Sequence, residues 1–200
     1  MRYDILLCGV GGQGIITLSE ILATAAISKD LKAIVTQDRG LAQRGGSVKA
    51  HVRMGDVHSP MIPKGHAHAL LSLELGETLG YADYLNPDTV IVASTTLIAG
   101  VDTAKDRKGK EPGNQVDPRQ VIPQMGGRAL IVDADASAVQ LGVPRAANIF
   151  LLGVVYGMDS RIADAIDPGQ LIASIKSVVR RKPEENVAIF QSGMKYGAEH

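Results

Sequence analysis

A three-layer α/β/α domain with a mixed, mostly parallel sheet is the fold this sequence predicts, and three observations predict it. Short apolar runs alternate with longer helical stretches along most of the 200 residues. The first such pair is joined by Gly9-Val10-Gly11-Gly12-Gln13-Gly14, a glycine turn between a strand and a helix. One segment, Ser47–Arg53, alternates with period two and is followed by a turn signal at Gly55-Asp56, which calls for an antiparallel element.

The first unit is Rossmann-like. Ile5-Leu6-Leu7-Cys8 reads as a buried strand and Ile15–Ile27 as an apolar-periodic helix. Glycine between them permits positive φ and close backbone approach. The first helical turn then offers unpaired N–H groups and the positive end of a dipole, which suits a phosphate or carboxylate. A tight β–α turn with no ligand favours the same residues, so the turn alone leaves both readings open. A dinucleotide fingerprint also needs an acid at the end of the second strand. Asp38, 24 positions beyond Gly14 and after the run Lys32–Thr36, is the candidate. A second glycine-rich segment, Gln43-Arg44-Gly45-Gly46-Ser47, follows, and an ordinary dinucleotide fold does not call for it.

The remaining elements follow in order. A polar loop is expected from Gln37 to Gly46, then a strand with Val48, Ala50 and Val52 on its apolar side and Lys49, His51 and Arg53 on a wet or ligand-facing side. Val57–Ile62 is expected to run back beside it as a short, proline-limited edge. Ala69–Leu73 is a buried strand ended by Glu74, which either faces a crevice or caps the helix Glu77–Leu85. Val90–Ala93 is the next strand. A polar stretch to Asp117 reads as a surface or partner-contact loop, and Asp117 caps a short helix. Ala129–Asp133 is a strand and Asp135–Leu141 a helix stopped by Gly142 and Pro144. Asn148–Tyr156 is a buried helix opened by Asn148, and Asp167-Pro168 opens another that runs to about Arg181 with Lys176, Arg180 and Arg181 in its last turn. A final helix runs from Pro183 to about Tyr196-Gly197. The whole chain, 1–200, reads as a single domain.

Composition bounds the function. Lys+Arg and Asp+Glu both number 21, so a broad electrostatic surface for nucleic acid or anionic membrane is not expected. A signal segment and a membrane span are likewise not expected, and the chain reads as cytoplasmic. The single cysteine, Cys8, lies in the first strand and reads as a buried core residue that cannot by itself hold an iron–sulfur cluster. His66 and His68 would share one face of an extended segment, but two imidazoles are too few for a metal site, and none is expected.

Candidate site residues are those of the two glycine segments: Gly11, Gly12 and Gly14 as a backbone cradle, Gln13 as an amide with donor and acceptor, Arg44 as a fork for a carboxylate or phosphate, and Gly45, Gly46 and Ser47 as further donors. Arg44 reads equally as an interface ion pair, and Gln13 as a solvent-facing turn residue. Asn148 reads as satisfying backbone groups at a helix start, and Arg180-Arg181-Lys182 as a solvated helix end.

The two glycine segments, Ile62-Pro63-x-Gly65 before a strand ending Ser72-x-Glu74, and Asn148 opening an apolar helix after Asp133-Ala134 occur in this order. Together they resemble the γ subunit or γ domain of thiamine-diphosphate-dependent 2-oxoacid:ferredoxin oxidoreductases, and within that family the small subunit of the indolepyruvate enzymes. The resemblance covers essentially the whole chain. It implies a subunit that is inactive alone and carries no catalytic residue of its own. Thiamine diphosphate, magnesium and iron–sulfur clusters would sit on a large partner subunit, with coenzyme A contacted in the complex and electrons passed to ferredoxin. Two other classes remain beside it: a free-standing dinucleotide-binding domain using Gly9–Gly14 and Asp38, and a purely structural scaffold.

Overall fold

A computed structural model describes residues 1–39, 46–98 and 117–200. Six strands form one sheet: β1 (Arg2–Val10), β2 (Ala33–Arg39), β3 (Ser47–Gly55), β4 (Ala69–Ser72), β5 (Val90–Ser94) and β6 (Arg128–Val132), in the order β2-β3-β1-β4-β5-β6. β3 is antiparallel to both β1 and β2, and β1, β4, β5 and β6 run parallel. The expected mixed sheet is present, and β3 is its antiparallel member.

The described helices are α1 (Ile15–Ile27), α2 (Pro118–Val121), α3 (Ala134–Gln140), α4 (Ala147–Met158), α5 (Arg161–Ala165), α6 (Pro168–Val178) and α7 (Pro183–Ala198). Alternation along β1 sorts the layers. Tyr3, Ile5 and Leu7 face a large core shared with α1, α4, α6 and α7. Leu6 and Cys8 face a smaller core closed by Ile62, Leu75, Leu85 and Ile122, under the short 3-10 segment Glu77–Tyr84 and the α2 region. Both faces of β1 are therefore covered, which accounts for its nearly unbroken apolar sequence.

α4 and α7 pack backbone to backbone. A Cβ placed on Gly153 would stand 2.2 Å from the Phe190 carbonyl oxygen, and one on Gly193 would stand 2.2 Å from that of Phe150. This close approach lets α4 lie deep, with Asn148–Tyr156 buried throughout. The first turn of α4 thereby reaches the end of the sheet where β1 ends.

Several expectations are corrected. Gln37–Arg39 continue β2 instead of opening a loop, because Ala50, Lys49 and Val48 give them ladder partners. Val57–Ile62 forms no strand, since β1 and β2 already occupy both edges of β3. The side of β3 expected to be wet is instead largely buried: His51 is 0% and Arg53 4% exposed. The segment after β3 folds over them, with the Ile62 N–H donating to His51 Nδ1 and Arg53 donating to the Ser59 and Met61 carbonyls. α6 stops at Val178, because Val179 is extended and Lys182 adopts φ 52°. Of the three expected last-turn cations only Lys176 remains in α6, paired with Glu184 of α7 at 3.0 Å. The short helix α5 was not expected. The expected polar stretch before Asp117 falls, from 99 to 116, outside the described residues. Asp117 caps α2 as expected, accepting from the Arg119 N–H.

Candidate functional site

The two glycine segments meet. The Gly11 N–H donates to the Gly46 carbonyl at 3.0 Å, because β1 and β3 pair to their ends at Val10 and Ser47. Gly12 and Gly14 adopt φ of 102° and 94°, a region that side chains other than glycine rarely enter. Gln43, Arg44 and Gly45 lie outside the described residues. Ser47 points to the face opposite α1, where its hydroxyl donates to the Glu77 carboxylate and lies 3.2 Å from the Tyr81 hydroxyl. Burial pushes the Tyr81 phenol up to about 12.

The turn sits at a switch in the chain path. After β1 the chain enters α1 on the large-core face; after β4 it enters the 3-10 segment on the other face. Such a switch opens a crevice at the carboxyl ends of parallel strands. A cleft of about 330 Å³ occupies it, lined by Gly12 and Gln13, by Leu73 after β4, by Ser94 at the end of β5 and Thr96 after it, and by Asp135, Arg145 and Asn148. Volumes of about 300–1,000 Å³ are usual for small-molecule sites.

The polar groups around the cleft divide into those already used and those left open. Gln13 is used at both ends: its Oε1 accepts from the Val10 N–H at 2.7 Å and its Nε2 donates to the Leu73 carbonyl at 2.9 Å. Its amide thus fastens the ends of β1 and β4 together, a role that neither sequence reading included. Glu74 is buried and used as well, accepting from the Glu77 N–H at 2.7 Å and the Ile98 N–H at 2.9 Å. It is the cap, the second of its two sequence readings.

Thr96 Oγ1 lies 2.7 Å from Ser94 Oγ and donates to one oxygen of Asp135. Asn148 is 8% exposed, and its Nδ2 makes a long contact of 3.5 Å to the Gly14 carbonyl. Ser94, Thr96, Asp135 and Arg145 went unnoticed in the sequence. Ser94 ends β5, Thr96 follows it, Asp135 is in the first turn of α3 and Arg145 precedes α4, so no single local pattern marks them together.

Cys8 is fully buried on the small-core side, and burial raises its thiol to about 12. It is no nucleophile at neutral pH. Among the described residues no group of three His, Cys, Asp or Glu could hold a metal ion. No described helix is long and apolar enough to cross a membrane. Asp38 is exposed and pairs with Lys49 at 3.1 Å. β3 lies between β2 and β1, so this acid is a full strand further from the glycine turn than a dinucleotide fold places it.

Comparisons with known proteins agree with this geometry. The family described as pyruvate ferredoxin/flavodoxin oxidoreductase matches residues 4–196. The indolepyruvate oxidoreductase subunit IorB of Archaeoglobus fulgidus is 39% identical over 159 residues, 78% of this chain and 77% of that protein. The protein of the same name from Methanothermobacter thermautotrophicus is 29% identical over the full length of both. Among solved structures, the γ subunit of a keto/oxoacid ferredoxin oxidoreductase from Geobacter sulfurreducens superposes with a TM-score of 0.68 at 23% identity, covering 100% of this chain and 98% of that one. A 2-oxoglutarate:ferredoxin oxidoreductase from Magnetococcus marinus, solved with 2-oxoglutarate, coenzyme A and succinyl-CoA bound, matches with a TM-score of 0.68 at 18% identity, over 99% of this chain and 30% of that one. The two structures share the fold.

Proposed function

Because the chain belongs to the pyruvate ferredoxin/flavodoxin oxidoreductase family, we propose that it is the γ-type subunit of a 2-oxoacid oxidoreductase acting on indolepyruvate or related arylpyruvates. In the reaction a 2-oxoacid and coenzyme A give an acyl-CoA, CO2 and a proton, and two electrons pass to ferredoxin. Thiamine diphosphate, magnesium and the iron–sulfur clusters reside on a large partner subunit. This chain supplies surface and binding groups, consistent with its one buried cysteine.

The observation that carries the reading is the hydrogen bond from Gly11 to Gly46. It brings the two glycine segments to one end of the sheet, beside the cleft. In this reading Gly11, Gly12 and Gly14, with Gly46, form backbone surface offered to coenzyme A and to the partner; the Gln13 amide and the Ser47 hydroxyl are engaged within the fold, and Arg44 and Gly45, which lie outside the described residues, are assigned to it from the sequence alone. The relatives named for indolepyruvate support the substrate class, and their alignment extends along most or all of the chain.

The test is reconstitution. The purified chain is expected to give no viologen reduction with an arylpyruvate and coenzyme A, and addition of the large subunit is expected to restore it. Turnover by the chain alone, or none after the subunits are joined, overturns the proposal.

A further inference from the structure

One edge of the sheet is open. β2 stands first in the strand order, and β3 is its one ladder partner among the described residues. The Lys32 carbonyl accepts from the Gly55 N–H at 2.8 Å, and the next residue, Ala33, lies opposite Met54. Hydrogen-bonded and non-hydrogen-bonded pairs alternate along an antiparallel ladder. Ile34, Thr36 and Asp38 therefore turn their backbone groups toward β3, and Ala33, Val35 and Gln37 turn theirs away from it. Among the described residues none of these outward N–H or carbonyl groups has another partner. Such a row is a template for a further strand, and proteins blunt it with proline, a bulge or a central charge. β2 has none of these: Ala33-Ile34-Val35-Thr36-Gln37 is uncharged and free of proline, and its register with β3 is unbroken.

The strand also complements itself. An antiparallel copy related by a twofold axis at Val35 pairs Val35 with its own copy and Ala33 with Gln37. The backbone groups of all three point outward, so each pair can exchange both hydrogen bonds. The same axis sets Ile34 opposite Thr36 and Lys32 opposite Asp38, in the closer, non-hydrogen-bonded positions. Gln37 donates to Ser19 of α1, so by alternation these four residues share the other face. Lys32 is exposed and has no carboxylate within ion-pair distance among the described residues. Asp38 meets Lys49 with its side chain 58% exposed, which leaves it open to a second cation. The symmetry forms the Lys32–Asp38 pair twice. An axis at Ile34 or at Thr36 keeps the backbone alternation but loses both ion pairs. Equal numbers of Lys+Arg and Asp+Glu leave little net repulsion between copies.

We propose that the β2 edge is a homodimer interface. Two copies of this chain join β2 to β2, antiparallel about Val35, so that one sheet runs through both, and Lys32 of each copy pairs with Asp38 of the other. The inference goes beyond the proposed function and does not rest on it: β3 separates this edge from β1 and its glycine turn.

The test is sedimentation of the purified full-length chain, joined to amide exchange read residue by residue. The parent is expected to be dimeric at about 10 μM. Lys32→Glu and Asp38→Lys each set like charges across the axis twice, and each should weaken the dimer about tenfold or more. Both positions are exposed, so both variants should fold. An equimolar mixture of the two variants has opposite charges at both places and should form the mixed dimer with an affinity near that of the parent. In amide exchange Ala33, Val35 and Gln37 should slow on dimerisation, whereas Ile34, Thr36 and Asp38 should be slow in monomer and dimer alike. A parent that stays monomeric up to about 1 mM, variants that dimerise as well as the parent, or a mixture that recovers nothing overturns the proposal. Slowing of Ala33, Val35 and Gln37 only when the large subunit is added makes that subunit the occupant and also overturns it. No measurement on the chain alone requires turnover, so failure here is distinct from failure of the reconstituted activity.

Discussion

The two ends of the sheet carry comparable numbers of polar side chains and use them in opposite ways. At the end where β1 begins, Asp4 is fully buried and accepts from Arg53 at 2.8 Å, with Arg2 at 3.1 Å. Tyr3 donates to Asp159, which also holds Arg161, and Arg161 donates onward to the His68 and Asp88 carbonyls. His68 accepts the Asp4 N–H and stacks on Tyr3. Nearly every group is spoken for. At the end where β1 finishes, Gln13 and Glu74 are internally satisfied, while among the described residues Arg145, Asn148 Oδ1, one oxygen of Asp135 and the N-termini of α1 and α4 are not. A dense buried ionic cluster holds the closed end, where His51 Nε2 is the one buried side-chain atom without a partner among the described residues; the open end instead leaves its free polar groups at the surface of the cleft.

The sharpest way to break this contrast is at the closed end. Asp4→Ala leaves Arg53 buried without its carboxylate, and loss of one partner of a buried pair costs about 3–5 kcal/mol. Urea unfolding should show it as a large fall in midpoint. The double variant Asp4→Leu, Arg53→Met should recover much of the loss, because it removes both charges at once. A single variant as stable as the parent would mean that the cluster does not hold this end together.

At the open end the comparable substitution is Gln13→Ala, and its effect should be smaller. It leaves the Val10 N–H and the Leu73 carbonyl without partners, at about 1–3 kcal/mol in all. Gln13→Glu keeps the acceptor for Val10 and loses the donor to Leu73, so it should fall between parent and Ala in a thermal melt. If Gln13→Ala leaves stability unchanged but abolishes coenzyme A dependence in the complex, Gln13 belongs with the ligand-facing groups and not with the frame.

How much of this was legible in the sequence follows from the range of each interaction. α1 was read at its observed limits, Ile15–Ile27, because a glycine turn and apolar periodicity are local signals. Asp117 was legible as a cap and Asp167-Pro168 as a helix start for the same reason, and Asp167 turns out to cap its helix too. The burial of His51 and Arg53 was not, since alternation says which residues share a face and nothing about what later covers it. Their cover comes from Ser59–Ile62 and their charge partner from Asp4, 49 residues away. Gln13 had a readable position, but its second partner, Leu73, lies 60 residues along. The cleft was the least legible part, assembled from loops after β1, β4, β5 and β6. Of its lining, only Gly12, Gln13 and the apolar helix after Asn148 carried a local signal.

The smallest expected effect tests the closed end by pH. Burial is the main cause holding both His51 and His68 below the usual imidazole value. Around His51, Lys49 and Arg53 act in the same direction and Asp38 and Asp4 oppose them; Tyr84 packs edge-on against its ring. Around His68, Arg161 and Arg2 lower and Asp4 and Asp159 raise. Each ring uses Nδ1 as an acceptor, from Ile62 and from Asp4, so protonation at Nδ1 destroys a backbone hydrogen bond. The unfolded chain binds these protons near pH 6.5 and the folded chain only at lower pH. Their contribution is therefore complete above pH 6.5 and is lost as pH falls through the depressed folded values, at no more than about 1.4 kcal/mol per pH unit for each imidazole. Urea midpoints taken from about pH 8 down to about pH 5 should decline on the acid side, and His68→Asn, which keeps an acceptor for the Asp4 N–H, should make that decline shallower. An unchanged slope in His68→Asn would mean that the acid sensitivity of this end resides in His51 and its covering segment, and would confine the contrast between the two ends to the β3 side of the sheet.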